Sequence, residues 1–409
     1  MYTSPHLRVV RERIQINNEP ISEQLFTKYL FEVWDRLSSI GDGSKPVYFR
    51  FLTLVAFHAF IQERVETAVI ECGIGGEYDS TNLFVSPTVT AVTALSIDHV
   101  GMLGDTIDQI AWHKAGIFKR GALAFTTPQP EPAMRVLQER AMEKDVNLQV
   151  VEPNAQIASG QIKIGLAGNF QQSNASLAVE VSKAHLRQLG HGNLVESSLE
   201  SENGMPREFK QGLQLVKWPG RCDMRHDRRN GVTWCLDGGH TLESIEVSGQ
   251  WFADEARKAQ KIDVGDIDKT QHQRILIFNQ QERDARALAA ALFKTLSIVL
   301  GPKPFTHAIF TTNITFKETG YKPDLVSVNS NGDDIKVMRV QNELARVWNE
   351  LDGDAQTMVT ATIEEAIEEV RRISMKANAR HDKDLMCFIT GSLHLVGGAL
   401  EVLESTGVS

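Results

Sequence analysis

The sequence has 409 residues, 42% hydrophobic and 23% charged, with a formal net charge of -9. That length accommodates two domains of ordinary size, each with its own apolar core. A phosphate-backbone binder needs a basic face to release counterions; no Lys/Arg-rich block occurs, so nucleic acid is excluded as a partner class.

The four cysteines, Cys72, Cys222, Cys235 and Cys387, form no C-x-x-C pair, which argues against zinc and disulfide frameworks and fits a reducing compartment. The longest uncharged run, "LMCFITGSLHLVGGAL", is shorter than a spanning helix needs and is interrupted by Gly391, Ser392 and His394, so no membrane span is expected. "MYTSPHLRVVRERI" has neither the apolar core of a signal peptide nor the Arg/Ser pattern of a transit peptide. Cytoplasmic residence is expected, with a mitochondrial form left open.

In chain order, "PVYFRFLTLVAFHAFIQE" predicts a largely buried helix and "TAVIEC" a strand. "TVTAVTALSI" is β-branched and predicts a second buried strand ending at Asp98-His99; "DTIDQIAWHKAGIF" predicts a helix with Asp105 as N-cap, and "ALAFTT" closes that unit. "GHGNLVESSLESENGMPREFKQG" has little apolar periodicity and predicts an exposed insertion. Trp218-Pro219-Gly220-Arg221 reads as a hinge, after which "VTWCLD", "RILIFN", "HAIFTT", "TMVT" and "LMCFIT" predict further strands. Alternation of strands and helices predicts parallel sheets covered by helices, in domains 1–221 and 222–409, with surface loops at 254–273 and 317–336.

The stretch "AVIECGIGGEYDSTN", residues 68–82, poses the first chemical question. A dinucleotide fingerprint opens a helix with G-x-G-x-x-G, whereas Gly73, Gly75 and Gly76 lead into Glu77, Tyr78 and Asp79 with no helical pattern behind them. A phosphate loop needs G-x-x-x-x-G-K-[ST]; no Gly-Lys dipeptide occurs, and "GDGSKP" at 41–46 precedes a proline-started helix. In open α/β sheets ligands bind beyond the carboxyl ends of strands. Glu71 ends one predicted strand and His99 follows the next, so the pair could hold a divalent ion, with glycines admitting close backbone approach. Each also has a plainer reading: Glu71 as a strand-end acid paired with an arginine, His99 as a satisfied core histidine. Lys114 shares a helix face with Ile107, Ile110 and Ala111, and a buried amine can act as a nucleophile or accept a carbamate. Its plainer role is to favour the helix dipole from the last turn.

Read together, the segments "YTSPHLRVVRERIQINNEPIS", "YFRFLTLVAFHAF", "IECGIGGEYDSTN", "SIDHVGMLGDTIDQIAWHKAGIFKRG", "NFQQSNASLA", "WPGR", "LDGGHTLES" and "TGSLHLVGG" resemble the folylpolyglutamate synthases of the Mur ligase superfamily, in their eukaryotic, fungal-like form. The resemblance implies a larger Mur-ligase-like ATPase domain, a smaller C-terminal Rossmann-like α/β domain and an active site in the cleft between them. By the same resemblance Ser4, Glu71 and His99 match magnesium ligands, and Lys114 matches a lysine carbamylated in several relatives. Asn174 borders the nucleotide, Arg221 resembles the ATP-contacting arginine and Asp237 the residue holding the ribose. His240, Ser392 and His394 would face the cleft. Phe170 stands where many relatives have His, and Gly239 where many have Ala.

The implied activity is ATP-dependent addition of glutamate to the γ-carboxylate of tetrahydrofolates through an acyl phosphate. The implied ligands are ATP as cosubstrate, magnesium, a monovalent cation, tetrahydrofolate with its polyglutamates, and L-glutamate, on a monomer. In the family "TSPHL" follows a first strand, the phosphate loop and its helix; this sequence begins inside "YTSPHL", so about one βα unit is expected to be lacking. Two other expectations therefore stand beside the ligase: a catalytically impaired product that binds folate or a partner, and a dihydrofolate synthase, which shares most of these motifs.

Overall fold

The computed structural model describes the chain except residues 42, 44, 197–204, 263–272, 281–283, 319–337, 379–384 and 409. Two units emerge, Met1–Gly165 with Phe170–Val216, and Leu166–Asn169 with Lys217–Ser409. The chain thus passes between them after Gly165, after Asn169 and after Val216, and Trp218–Arg221, read as a hinge, lies inside the second unit.

The first unit opens with a hairpin, β1 (Gln15–Ile16) and β2 (Glu19–Pro20). Asn17 and Asn18 between them both take positive φ, 52° and 68°, as a two-residue hairpin turn that follows strand twist requires. Helix α1 (Glu23–Ser38) starts where Ser22 Oγ accepts the Leu25 N–H, and α2 (Tyr48–Gln62) is the buried helix expected. Tyr2, Ile14, Ile21 and Tyr29 pack with Val55, Ala56, Ala59 and Phe60 of α2.

"TAVIEC" differs from expectation. It is held by a single parallel bridge between Tyr2 and Ile70, through Tyr2 N–H to Val69 O and Glu71 N–H to Tyr2 O, both 2.9 Å. The ladder stops there because the next donor on that side, Ser4 N–H, goes to the Glu71 side chain, Oε2 at 2.9 Å, rather than to its backbone carbonyl.

The predicted strand over 88–97 is also shorter: β3 is Val89–Val92. Beyond it the Gln129 side chain takes over the backbone, donating to Thr93 O at 2.8 Å and accepting the Leu95 N–H at 3.0 Å. Residues 93–98 therefore separate the strand from His99. After α3 (Val100–Leu103) comes α4 (Ile107–Lys114), whose N-cap is Thr106 rather than Asp105, because Thr106 forms a capping box with Gln109. A 3-10 turn, Ala115–Ile117, then leads to β4 (Leu123–Thr126), α5 (Glu131–Glu143), β5 (Leu148–Val150), α6 (Ala155–Ala158) and α7 (Gln171–Gln188). Strands β3, β4 and β5 form a parallel sheet in that order. Residues from α4 and α5, including Ala111, Ala133 and Leu137, bury Val92 and Ala124 of that sheet, and Leu177 and Ala184 of α7 pack with Phe125. The predicted insertion is only partly loop: α8 (Gly192–Glu196) and α9 (Arg207–Leu215) occupy it, Val195 and Met205 are buried, and residues 197–204 lie outside the described part.

The second unit runs β6 (Asp223–Asp227), β7 (Val232–Leu236), α10 (Leu242–Ile262), β8 (Arg274–Phe278), α11 (Ala285–Leu300), β9 (His307–Thr311), α12 (Arg339–Leu351), β10 (Gln356–Thr360), α13 (Ile363–Asn378), β11 (Leu385–Thr390) and α14 (Leu393–Ser405). Its sheet has the order β10-β9-β8-β11-β7-β6 and is parallel except for β6, an antiparallel edge strand joined to β7 by a hairpin through Gly231 at φ 61°. Of the surface loops expected at 254–273 and 317–336, residues 254–262 are helical within α10, whereas 263–272 and 319–337 lie outside the described residues. Phe252 of α10 stacks on Phe388 of β11 at 4.6 Å, and Trp348, fully buried, anchors α12. The final strand β11 is inserted between β7 and β8, so the turns that follow β7, β8 and β11 open side by side at the carboxyl edge of the sheet.

Candidate functional site

In the first unit the glycine stretch serves close packing. Gly76 and Gly116 lie where a Cβ would meet backbone: His113 O at 2.7 Å for Gly76, Glu77 Cα at 2.3 Å for Gly116. The loop is therefore pressed onto the end of α4, with Glu77 N–H donating to His113 O at 2.7 Å. Asp79 shapes its interior: Oδ2 accepts Ile74 N–H at 2.9 Å and Oδ1 accepts Thr81 N–H at 2.9 Å and its hydroxyl at 2.6 Å. Glu77 pairs with Arg140 at 2.5 Å, fixing the loop to α5.

That packing gathers charge around Cys72, whose thiol feels the carboxylates of Asp79 and Glu71 and the ammonium of Lys114; burial pushes its pKa up. Glu71 Oε2 accepts the Ser4 N–H at 2.9 Å, so two of the three expected metal ligands adjoin. Their donors are a carboxylate and a hydroxyl, hard oxygens of the kind magnesium takes. His99 sits at φ 52° with its N–H on Asp98 Oδ1 at 2.7 Å and its ring Nε2 3.7 Å from Asp98 Oδ2. Lys114 is half-buried at the last turn of α4, less enclosed than Ile110 and Ala111 on the same helix face. Asn174 lies on the first turn of α7, its amide donating to Gln171 Oε1 at 3.0 Å.

In the second unit the expected residues converge on the carboxyl edge. Asp237 follows β7 directly and is buried, with Oδ1 accepting Gly239 N–H and Oδ2 accepting Cys222 N–H, each at 2.9 Å. Burial raises its pKa, opposed by these hydrogen bonds and by the Arg221 guanidinium. A Cβ on Gly238 would lie 2.4 Å from Leu393 Cδ2 and 2.7 Å from an Arg221 Nη, so this glycine admits both neighbours. His240 Nδ1 lies 2.9 Å from Gly238 O; a carbonyl only accepts, so Nδ1 carries the proton and Nε2 holds the lone pair of the neutral ring. Ser392 is the N-cap of α14, but its side chain makes no capping hydrogen bond; His394 is exposed on the first turn.

Sequence reasoning missed a set of buried amides at the same edge. Asn279 and Gln280 follow β8, and both are buried with Gln341 of α12. Gln341 donates to Asn279 Oδ1 at 2.9 Å, Asn279 to Asn313 Oδ1 at 2.8 Å, and Gln280 to Gly391 O at 2.9 Å. The available signal was positional: "RILIFNQ" carries two amides where an apolar strand ends.

A family model described as the dihydrofolate synthetase C-terminal domain matches residues 220–402. The folylpolyglutamate synthase of Saccharomyces cerevisiae strain AWRI796 is 45% identical over 422 aligned residues, covering 100% of this chain and 72% of the relative, and that of strain YJM789 matches to the same extent. Among solved structures, Mycobacterium tuberculosis folylpolyglutamate synthase complexed with ADP and AMPPCP superposes with a TM-score of 0.73 at 24% identity, covering 98% of this chain and 84% of that one. The folylpolyglutamate synthase of Thermotoga maritima gives 0.65 at 21% identity, covering 100% and 82%. With its identity to the yeast enzymes running from one end to the other, the chain belongs to the folylpolyglutamate synthase family.

Proposed function

We propose that this chain is an ATP-dependent carboxylate-amine ligase that adds L-glutamate to the γ-carboxylate of tetrahydrofolates. The observation that carries this reading is the 45% identity to folylpolyglutamate synthase over the whole chain. The folate γ-carboxylate attacks the γ-phosphate of ATP, releasing ADP and giving an acyl phosphate; the glutamate amine attacks that carbonyl, loses a proton, and phosphate leaves as the amide forms. Arg221, held beside Asp237, supplies fixed positive charge for the phosphoryl group as charge builds on it. His240 presents Nε2 as a proton acceptor for the attacking amine, its tautomer set by Gly238. Ser392 and His394 present polar groups at the start of α14, where backbone N–H groups favour an anionic substrate.

Ser4, Glu71 and His99 would hold magnesium, which when bound neutralises phosphate charge. Lys114 contributes positive charge beside Glu71 or, carbamylated, another anionic oxygen. In the first unit Asn174 borders the nucleotide; in the second, Asp237 braces the turns that carry Arg221 and His240. The four scattered cysteines favour a reducing compartment such as the cytoplasm, and among the described residues no helix is long and apolar enough to cross a membrane.

The test is a single-turnover assay with enzyme in excess over tetrahydrofolate, MgATP and isotope-labelled glutamate, read by mass spectrometry. A folate product heavier by one labelled glutamyl residue, with one ADP released per bond, is expected; ADP release without that product rejects the reading. The description of the model matching 220–402 favours a second reading, a dihydrofolate synthase. Supplying dihydropteroate beside tetrahydrofolate in the same assay separates the two.

A further inference from the structure

The peptide following β11 is held from two sides. Gly391 N–H donates to Gly239 O at 3.1 Å, in the turn after β7, and Gly391 O accepts from the Gln280 side chain at 2.9 Å, after β8. Gly391 has φ 103°, and a Cβ there would lie 2.5 Å from Asn279 O and 2.7 Å from the Phe278 ring, so no other residue fits this path. The next residue, Ser392, begins α14 without a side-chain cap, so the entry angle of the helix depends on what holds Gly391. Gln280 is buried, and its amide reaches across from a neighbouring strand to a carbonyl that secondary structure leaves over.

We propose that Gln280 is a positioning residue: its amide N–H fixes the Gly391 carbonyl and thereby the orientation of the turn that presents Ser392 and His394 to substrate. Asn279, bridging Asn313 and Gln341, stiffens the strand end from which Gln280 projects. The contribution to turnover rests on the ligase reading above; the contribution to the turn does not.

Glu is nearly isosteric with Gln, but only its protonated form can donate to Gly391 O. The experiment therefore compares the full-length wild type, Gln280→Glu and Gln280→Leu by amide hydrogen exchange, corrected for intrinsic rate, from pH 5 to pH 8. Running the wild type at every pH subtracts titration of Asp237 and His240 on the β7 turn and of His394 on α14. In Gln280→Leu the peptide spanning 389–395 is expected to exchange about tenfold faster at every pH, the scale of one buried hydrogen bond. In Gln280→Glu the same gain is expected at pH 8 and a return to within about threefold of wild type at pH 5, with β8 and α11 unchanged. A space-filling role would leave Gln280→Glu like wild type at all pH values, or loosen the whole unit evenly; either result overturns the proposal. In the ligase assay both variants should raise the KM for glutamate more than the KM for ATP. A wild type without turnover, with the exchange pattern intact, would reject the ligase reading and leave the positioning role standing.

Discussion

Cys222 donates its backbone N–H to Asp237 Oδ2 at 2.9 Å, and its thiol lies 3.5 Å from the same oxygen. With Gly239 N–H on Oδ1, one buried carboxylate ties the "WPGRC" turn to the "DGGH" turn, and so sets Arg221 and His240 on a common frame. Cys222 itself sits at φ 47°, a conformation a non-glycine residue keeps only when its surroundings impose it.

The pH dependence of stability follows from burial of that carboxylate. Because burial raises the pKa of Asp237 in the folded state, the native protein holds the proton over a range where the unfolded chain has released it. Stability should then fall as pH rises from the ordinary carboxylate value, about 3.9, to the raised folded value, with no further change from this group above it. In Asp237→Asn that slope should disappear, at a cost of about 1–3 kcal/mol because one of the N–H donors then faces an NH2 group. Urea unfolding of both proteins across pH 4 to 8 reads this directly; parallel curves would refute it.

The glycines make a contrasting pair. A Cβ at Gly116 would lie 2.3 Å from the Glu77 Cα, backbone that cannot yield without moving the loop off α4, whereas a Cβ at Gly101 in α3 meets nothing within 4 Å. Gly116→Ala should destabilise by about 1–3 kcal/mol or more, and Gly101→Ala should stabilise by about 0.4–1 kcal/mol. Denaturant midpoints at constant m decide it. Equal effects at the two positions would mean that the loop is not held as described.

Much of this was legible in the sequence, and its failures have physical causes. The strands "VTWCL", "RILIF" and "LMCFIT" read clearly because strands buried on both faces of a parallel sheet are apolar runs. Strand β6 was missed because "DMRHD" is a polar edge strand with no such pattern. The strand ending at His99 was overextended because composition does not reveal that the Gln129 side chain, from beyond β4, would take the backbone groups of Thr93 and Leu95. At the candidate site, Asp237 and His240 came into view only through the family resemblance of "LDGGHTLES", and the hydrogen bond from Gln280 joins positions 111 residues apart and leaves no local trace.

Glu71 offers a test of the metal reading. Its Oε2 accepts the Ser4 N–H, a bond that glutamine can also accept, and the residue is exposed, so Glu71→Gln should leave stability within about 0.5 kcal/mol. The hard, charged oxygen that a divalent ion needs would be gone. Mn2+ as a magnesium probe, followed by water-proton relaxation, should bind at least about tenfold more weakly to the variant. Equal affinity would remove Glu71 from the ligand set.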